Sequence, residues 1–252
     1  MSALRSVVVP INRAGWPFIA LFAAGTAVLA YIAQPLGWIG ALLTAWCIYF
    51  FRDPERKPPP GRVLLAPADG YLLYARRVTG GTVPSPIKQG VPIALDEWIG
   101  QVPAPQGDGT LIGIYMTALS VHYIRSPVPG RVTHVVQRPA RGENLHQTRT
   151  FVRLIWGMQP YEEGSQYITQ NARNTIVIDG EVPVVVVQIA DRYVKECDAY
   201  VAPGDGVEAG RKIGMIRMGS QCDLYVPDSA GVQLDCRPGE RLKAGETVLG
   251  RY

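Results

Sequence analysis

The sequence predicts a mainly β (β-rich α+β) body behind an N-terminal membrane-associated helical hairpin. Three observations carry this reading. The 38 residues from Ala14 to Phe51 contain no Asp, Glu, Lys or Arg. After Lys57 the pattern changes to short alternating or β-branched runs between turns. Gly (27) and Pro (21) are frequent without a collagen-like period, which suits a 252-residue chain with many turns.

Within the uncharged stretch, Trp16–Ala33 and Leu36–Phe51 are apolar, and Gln34-Pro35 interrupts them. A spanning helix needs roughly 20 apolar residues, so each half is slightly short. Pro35 disfavours helix at Gln34, and Gly37 adds a second breaker. Two short helices joined by a tight turn are expected, dipping into or barely crossing one bilayer. Arg5 and Arg13 precede the stretch, and Arg52, Arg56 and Lys57 follow it. Basic flanks stay inside, so the expected location is the cytoplasmic face of the cell membrane. Trp16, Trp38 and Trp46 suit the bilayer interface. A secretory signal is disfavoured, because no small-residue cleavage site follows a single apolar core. The alternative, a buried soluble hairpin, would lack any polar face.

Lys57-Pro58-Pro59-Pro60-Gly61 is a stiff linker that separates a hairpin region, 1–57, from a β domain, 58–252. Strands are predicted at Val63–Leu65, Tyr71–Arg77, Leu111–Thr117, Val121–Arg125, Arg131–Gln137, Phe151–Ile155, Thr175–Ile178, Val182–Ala190, Tyr200–Val201, Lys212–Met218, Cys222–Val226 and Thr247–Gly250. The unbroken apolar run within Val182–Ala190 predicts burial on both faces. No convincing amphipathic helix follows residue 57. Thr79–Thr110 is rich in Gly and Pro and reads as a long loop or lid, where Trp98 and Ile99 could touch lipid. A plain surface loop is the alternative.

A faint internal repeat adds to this. Ala66-Pro67-Ala68-Asp69-Gly70 is similar to Ser126-Pro127-Val128-Pro129-Gly130, and the segment Val207–Gly214 is similar to Leu242–Gly250. A Pro-x-x-Gly turn that launches a strand and an Ala-Gly turn that closes one recur in barrel-sandwich hybrids. Two copies predict a duplicated unit of that kind.

Composition narrows the function. Charged residues are 18% and the net charge is +4, without a Lys/Arg run interleaved with aromatics, so no nucleic-acid partner is expected. Cys47, Cys197, Cys222 and Cys236 form no CxxC pair and no Cys/His cluster with zinc spacing. Free thiols in a reducing compartment and no metal are therefore expected.

Two strand-like runs flank Gly219-Ser220. The plain reading is a turn or bulge between strands. It is not a nucleophile elbow, which needs G-x-S-x-G between a strand and a helix. A Ser after Gly in a tight strand junction has one further possibility. Its hydroxyl can attack the preceding carbonyl, because Gly removes side-chain obstruction and tolerates strain. The resulting ester can eliminate, cleaving the chain and leaving dehydroalanine, which hydrolyses to a pyruvoyl group.

Several motifs, in order, resemble the phosphatidylserine decarboxylase proenzymes, in particular their short, archaeal-like bacterial branch. They are Phe50-Phe51-Arg52-Asp53-Pro54-Glu55-Arg56, Pro67-Ala68-Asp69-Gly70, Val121-His122-Tyr123-Ile124-Arg125-Ser126-Pro127-Val128-Pro129-Gly130, Gln188-Ile189-Ala190 and Gly214-Met215-Ile216-Arg217-Met218-Gly219-Ser220. The resemblance implies cleavage between Gly219 and Ser220, a β chain of 1–219, and an α chain of 220–252 whose Ser220 becomes a covalent pyruvoyl group. The two chains would form a non-covalent heterodimer, with a homodimer possible. The pyruvoyl carbonyl would form a Schiff base with phosphatidylserine, lose carbon dioxide and release phosphatidylethanolamine. Expected partners are the phospholipid substrate and an anionic membrane surface.

By the same resemblance Ser220, His122 and Asp69 are the catalytic candidates, with His122 as the base and Asp69 holding its tautomer. Asp69 read alone is a turn residue capping its own backbone. Arg125 stands where longer relatives carry a second His, and is the candidate for the substrate's phosphate or carboxylate. Two other readings stay open on the residues: a non-catalytic, membrane-anchored lipid-binding relative, and a Ser-His-Asp hydrolase.

Overall fold

The computed structural model describes residues 10–84, 86–88, 91–103, 107–194, 197–216 and 220–252. The chain divides into two compact units. One runs to Glu55 and includes Ala118–Val121; the other comprises Arg56–Thr117 and His122–Tyr252.

The first unit is a helical hairpin of α1 (Trp16–Ile32) and α2 (Gln34–Phe50). Ala33 between them is extended, and each helix carries Pro in its first turn, where the missing N–H has no helical partner to lose. The helices meet along a seam of small residues. A Cβ on Gly37 would stand 2.7 Å from the Ala30 Cβ, and one on Gly40 3.0 Å from the Thr26 Cα. The Thr26 and Thr44 hydroxyls are 2.9 Å apart across the seam. Small residues allow the van der Waals contact and side-chain hydrogen bonding that hold helix pairs together where water supplies no driving force. Leu21, Tyr31, Ile32, Trp38 and Leu42 point outward. Arg13–Ile32 is, by length and composition, apolar enough to cross a membrane, with mean hydropathy 1.7. At the base Phe18 stacks on Phe51. Arg52 donates to the Leu119 carbonyl at 2.7 Å, tying residues 118–121 to the hairpin.

The second unit contains β1 (Val63–Leu65), β2 (Gly70–Val78), β3 (Thr82–Val83), β4 (Ile93–Ala94), α3 (Leu95–Ile99), β5 (Gly109–Met116), β6 (Tyr123–Arg125), β7 (Gly130–Arg138), α4 (Thr148–Ile155), α5 (Tyr167–Gln170), β8 (Arg173–Asp179), β9 (Val184–Ala190), β10 (Asp198–Ala199), β11 (Gly206–Val207), β12 (Lys212–Met215), β13 (Ser220–Pro227), β14 (Gln233–Leu234), β15 (Arg241–Leu242) and β16 (Val248–Arg251). An antiparallel sheet runs in the order β11-β7-β8-β9-β13-β5-β2-β15, accompanied by sheets β1-β16-β14 and β6-β12-β10.

These orders are those of a duplicated unit. Taken in sequence, β1, β2, β5, β13, β14, β15 and β16 correspond to β6, β7, β8, β9, β10, β11 and β12, the second set being inserted between β5 and β13. The repeated turns occupy equivalent places. Gly70 pairs with Leu242 as Gly130 pairs with Val207. Ala66 N donates to Thr247 O at 2.8 Å, as Ser126 N does to Arg211 O. The two copies also clasp each other reciprocally: Leu65 N donates to Pro127 O at 2.9 Å, and Arg125 N to Pro67 O at 2.8 Å.

The large sheet is covered on both faces. Leu72, Ile114, Ile176, Val186 and Leu224 belong to one apolar cluster. Leu73, Tyr74, Val185, Val187 and Tyr225 belong to another, closed by Trp98 and Ile99 of α3 and Tyr167 and Ile168 of α5. β9 is buried throughout, as its unbroken apolar run requires.

Several expectations are corrected. Trp98 and Ile99 are at most 1% exposed and fill the core rather than touching lipid. The segment Thr79–Thr110 is not a plain loop, since it holds β3, β4 and α3. Phe151–Ile155 is helical, within α4: its β-branched and aromatic residues suggest a strand, but only Thr150 of this helix is buried. The strand expected at Tyr200–Val201 lies at Asp198–Ala199, and that beginning at Lys212 ends at Met215. Arg217 and Met218 lie outside the described residues.

Candidate active site

Ser220 is the first residue of β13, paired with Met116 of β5 on one side and Ala190 of β9 on the other. Alternation along the strand turns it, with Cys222 and Leu224, toward the aliphatic cluster. It is wholly buried, and its hydroxyl donates to the Met116 thioether at 3.2 Å. Sulfur is a weak acceptor, so this bond holds the hydroxyl loosely. Gly219 lies outside the described residues.

His122 is placed by topology. β5 leaves the large sheet at Met116 and the chain enters β6 at Tyr123; β12 ends at Met215 and the chain rejoins the large sheet at Ser220. Met116 pairs with Ser220, and Tyr123 with Met215. The two crossovers therefore join the same pair of sheets at the same ends. His122 lies on one, registered against the other by the Ile216 N–H donating to its carbonyl at 3.1 Å. His122 is 1% exposed, so its imidazole lies out of contact with bulk water.

Asp69 and Arg125 come together at a different cluster, around the turn before β16. Asp69 Oδ1 accepts from Ala244 N at 2.7 Å, and Oδ2 pairs with Arg56 at 2.7 Å. Arg56 also pairs with Glu246 at 3.1 Å. Arg125 is buried and donates to the Gly210 carbonyl at 2.8 Å, bracing the equivalent turn of the other copy. Gly245 is required here: its φ is +72°, and a Cβ would stand 3.1 Å from Arg125 Cδ. The Asp69 carboxylate is thus engaged by a buried guanidinium and a backbone amide, which fix the Pro-x-x-Gly turn. Arg56 enters the sequence reading only as a basic flank of the hairpin and as the last residue of a family motif; its pairing with Asp69 was not foreseen.

A polar network on the opposite face of β13 also escaped sequence reasoning. Asp223 accepts from Tyr74 at 2.7 Å, Trp98 Nε1 at 2.6 Å and Gln221 Nε2 at 2.6 Å. Tyr167 donates to Gln221 Oε1 at 2.5 Å. Burial pushes the Asp223 carboxyl up to about 6, against the three hydrogen bonds and Arg173, which pull it down. Desolvation outweighs them because the site is dry. Arg173 is itself pushed down to about 10 by burial, and holds α3 by donating to the Glu97 and Trp98 carbonyls at 3.1 and 2.6 Å. Gln221-x-Asp223, two polar residues on one face of an apolar strand, was the available signal.

A dry, weakly held Ser hydroxyl at a strand start, beside a crossover that carries a buried His, suits chemistry on the adjoining backbone better than attack on a soluble ester. The order of the motifs agrees with a comparison against known families. Residues 43–250 match the family model described as phosphatidylserine decarboxylase, a carboxy-lyase, and the chain belongs to the phosphatidylserine decarboxylase family.

Proposed function

We propose that the chain decarboxylates phosphatidylserine after cutting itself between Gly219 and Ser220. The observation that carries this reading is Ser220 itself: buried at the first position of β13, loosely bonded, and reached by the crossover alongside that of His122. Family membership supplies the substrate and the loss of carbon dioxide.

In the cutting step, His122 takes the Ser220 hydroxyl proton as the oxygen attacks the Gly219 carbonyl carbon. The Gly219–Ser220 C–N bond breaks and an ester bond to the Ser220 oxygen replaces it. Loss of the Ser220 Cα proton then expels the Gly219 carboxylate. Water converts the remaining dehydroalanine to a pyruvoyl group with release of ammonia.

The fold accommodates this change. Residues 221–225 stay paired with both β5 and β9 and residues 226–227 with β5, and β15 and β16 stay paired with β2 and β1. A cut before Ser220 therefore leaves the 220–252 chain zipped into the body, a non-covalent heterodimer. The new group would lie against Met116 and Ala190 in a largely apolar setting. When formed, the group would supply an electrophilic carbonyl for the substrate amine and an acceptor for the electrons freed when the carboxylate leaves. His122 holds the proton that returns to the substrate Cα. Arg125 supplies positive charge for the anionic head group, while Asp69 and Glu246 neutralise Arg56 and fix the neighbouring turn. The hairpin anchors the enzyme at the cytoplasmic face of the membrane.

Ser220→Ala tests the reading: we expect a single uncut chain that releases no carbon dioxide from phosphatidylserine. A Ser220→Ala chain that is cut at the same bond, or that retains decarboxylase activity, would refute it.

A further inference from the structure

We propose that α4 is a lipid contact belonging to the second unit itself: an interfacial helix whose outward face enters an anionic phospholipid surface beside the Ser220 end of the sheet. The proposal rests on the decarboxylase reading, in which the substrate is a bilayer lipid, and adds how the β body meets that lipid.

The helix is built inside out. Phe151, Val152, Ile155 and Trp156 are 39, 44, 62 and 75% exposed. Their spacing places them on one face. Thr150 points the other way and is wholly buried, its hydroxyl 2.7 Å from Ser165 Oγ and 3.1 Å from the Tyr167 hydroxyl. A soluble helix buries most of its apolar residues; this one turns a hydroxyl and Leu154 toward the core and presents two aromatic and two branched aliphatic residues, with Met158 continuing the patch.

Charge and composition favour a lipid surface as the occupant. From Gln147 to Gln159 there is no acidic residue, while Arg149 and Arg153 lie on the helix. Arg149 is exposed and directs its Nε to the Glu163 backbone carbonyl rather than to a carboxylate. Arg153 is paired with the Glu163 carboxylate at 2.5 Å. Trp156 and Tyr193 are each 75% exposed, and exposed Arg192 adjoins Tyr193. Exposed aromatics with cations are the signature of helices lying in the headgroup region.

Position gives the helix a purpose. Gln147, just before α4, donates to the Ala190 carbonyl at 3.3 Å, and Ala190 pairs with Ser220. The Phe151 ring lies 6.3 Å from that of Tyr115, the residue before Met116 on the other flanking strand. The helix is thus tied to both strands that bracket Ser220, so seating it in a leaflet brings lipid head groups to that end of the sheet.

The test uses the full chain in phosphatidylcholine–phosphatidylglycerol vesicles with plain or brominated acyl chains. Subtracting the spectrum of Trp156→Phe, a conservative change at an exposed site, isolates the Trp156 emission from that of the other tryptophans. We expect that emission to be lost in brominated vesicles, and the loss to be greater there than in vesicles of phosphatidylcholine alone. Trp156 emission left intact by brominated lipid overturns the proposal. So does a dimer of the wild-type chain that Ile155→Asp dissociates while Trp156 stays unquenched, since the face would then join two copies. The readout needs neither cleavage nor turnover. A quenched but uncut, inactive chain would sink the decarboxylase reading and leave the lipid contact standing; an active enzyme with unquenched Trp156 would do the reverse.

Discussion

Tyr74→Phe removes one oxygen from the dry network under β13. That hydroxyl donates to Asp223 Oδ2 and accepts from Gln221 Nε2, both at 2.7 Å. Gln221 keeps its bond to Asp223 Oδ1, and Trp98 keeps its bond to Oδ2. The ring keeps its place over Gly113, where any side chain would collide with it. The loss is two hydrogen bonds: the one to the carboxylate, worth ~1.5–3 kcal/mol while the carboxylate is charged and about 1 kcal/mol when it is neutral, and the one from Gln221, worth about 1 kcal/mol at either pH. Asp223 changes between those states near pH 6. Its folded value lies above the ordinary carboxylate value, so the folded state binds the proton more tightly than the unfolded state. The Asp223 contribution to stability is therefore greatest in acid and declines as pH rises through about 6. Tyr74 holds that value down, so its removal raises the value further and makes the decline larger. We expect Tyr74→Phe to cost ~3 kcal/mol at pH 8 and ~2 kcal/mol at pH 5. Urea unfolding of the detergent-solubilised protein, followed by tryptophan emission at both pH values, measures it. Equal destabilisation at the two pH values, or more at pH 5, would refute the reasoning.

Other variants probe the remaining parts. Asp69→Ala strands the buried Arg56 guanidinium with Glu246 as its remaining carboxylate and frees the Ala244 amide; a loss of about 3 kcal/mol is expected in the same unfolding assay, and a wild-type midpoint would show that the brace is unimportant. His122→Gln removes the base and should slow self-cleavage by ~10²–10⁴-fold in a pulse-chase of the newly made chain; cleavage at the wild-type rate would exclude His122 from that step. Gly37→Leu drives a side chain into Ala30 and should open the hairpin, so that an oxidative cross-link between Thr26→Cys and Thr44→Cys, efficient in the parent, is lost. A cross-link that forms equally well in both backgrounds would contradict the small-residue seam.

The duplication was legible because its turns are written in residues that few other backbones accept. Pro67 and Gly70 recur as Pro127 and Gly130, and Gly210 recurs as Gly245, at positions with matching hydrogen bonds. The hairpin was legible from the absence of charge. The two-residue strands β11 and β15 were not, because their extended form depends on β7 and β2 rather than on local propensity. α4 was hidden by its reversed polarity: a pattern search seeks apolar residues facing inward, and here the buried residue is Thr150. Trp98 was misplaced outward because Gly and Pro around it suggest a loop, whereas its indole N–H finds Asp223, a partner 125 residues away that no local pattern reveals. The site shows the same division. Ser220 and His122 could be named from their motifs, but the partners of Asp69 were set by Arg56 and Ala244, which tertiary folding alone brings to it.

Self-cleavage at Ser220 is the central claim, and the intact mass of the purified protein, with and without borohydride treatment, tests it most directly. Two chains parting between Gly219 and Ser220 are expected, the smaller of them carrying a carbonyl at its start and gaining mass on reduction. A single chain of unchanged mass, isolated from membranes and still decarboxylating phosphatidylserine, would contradict it.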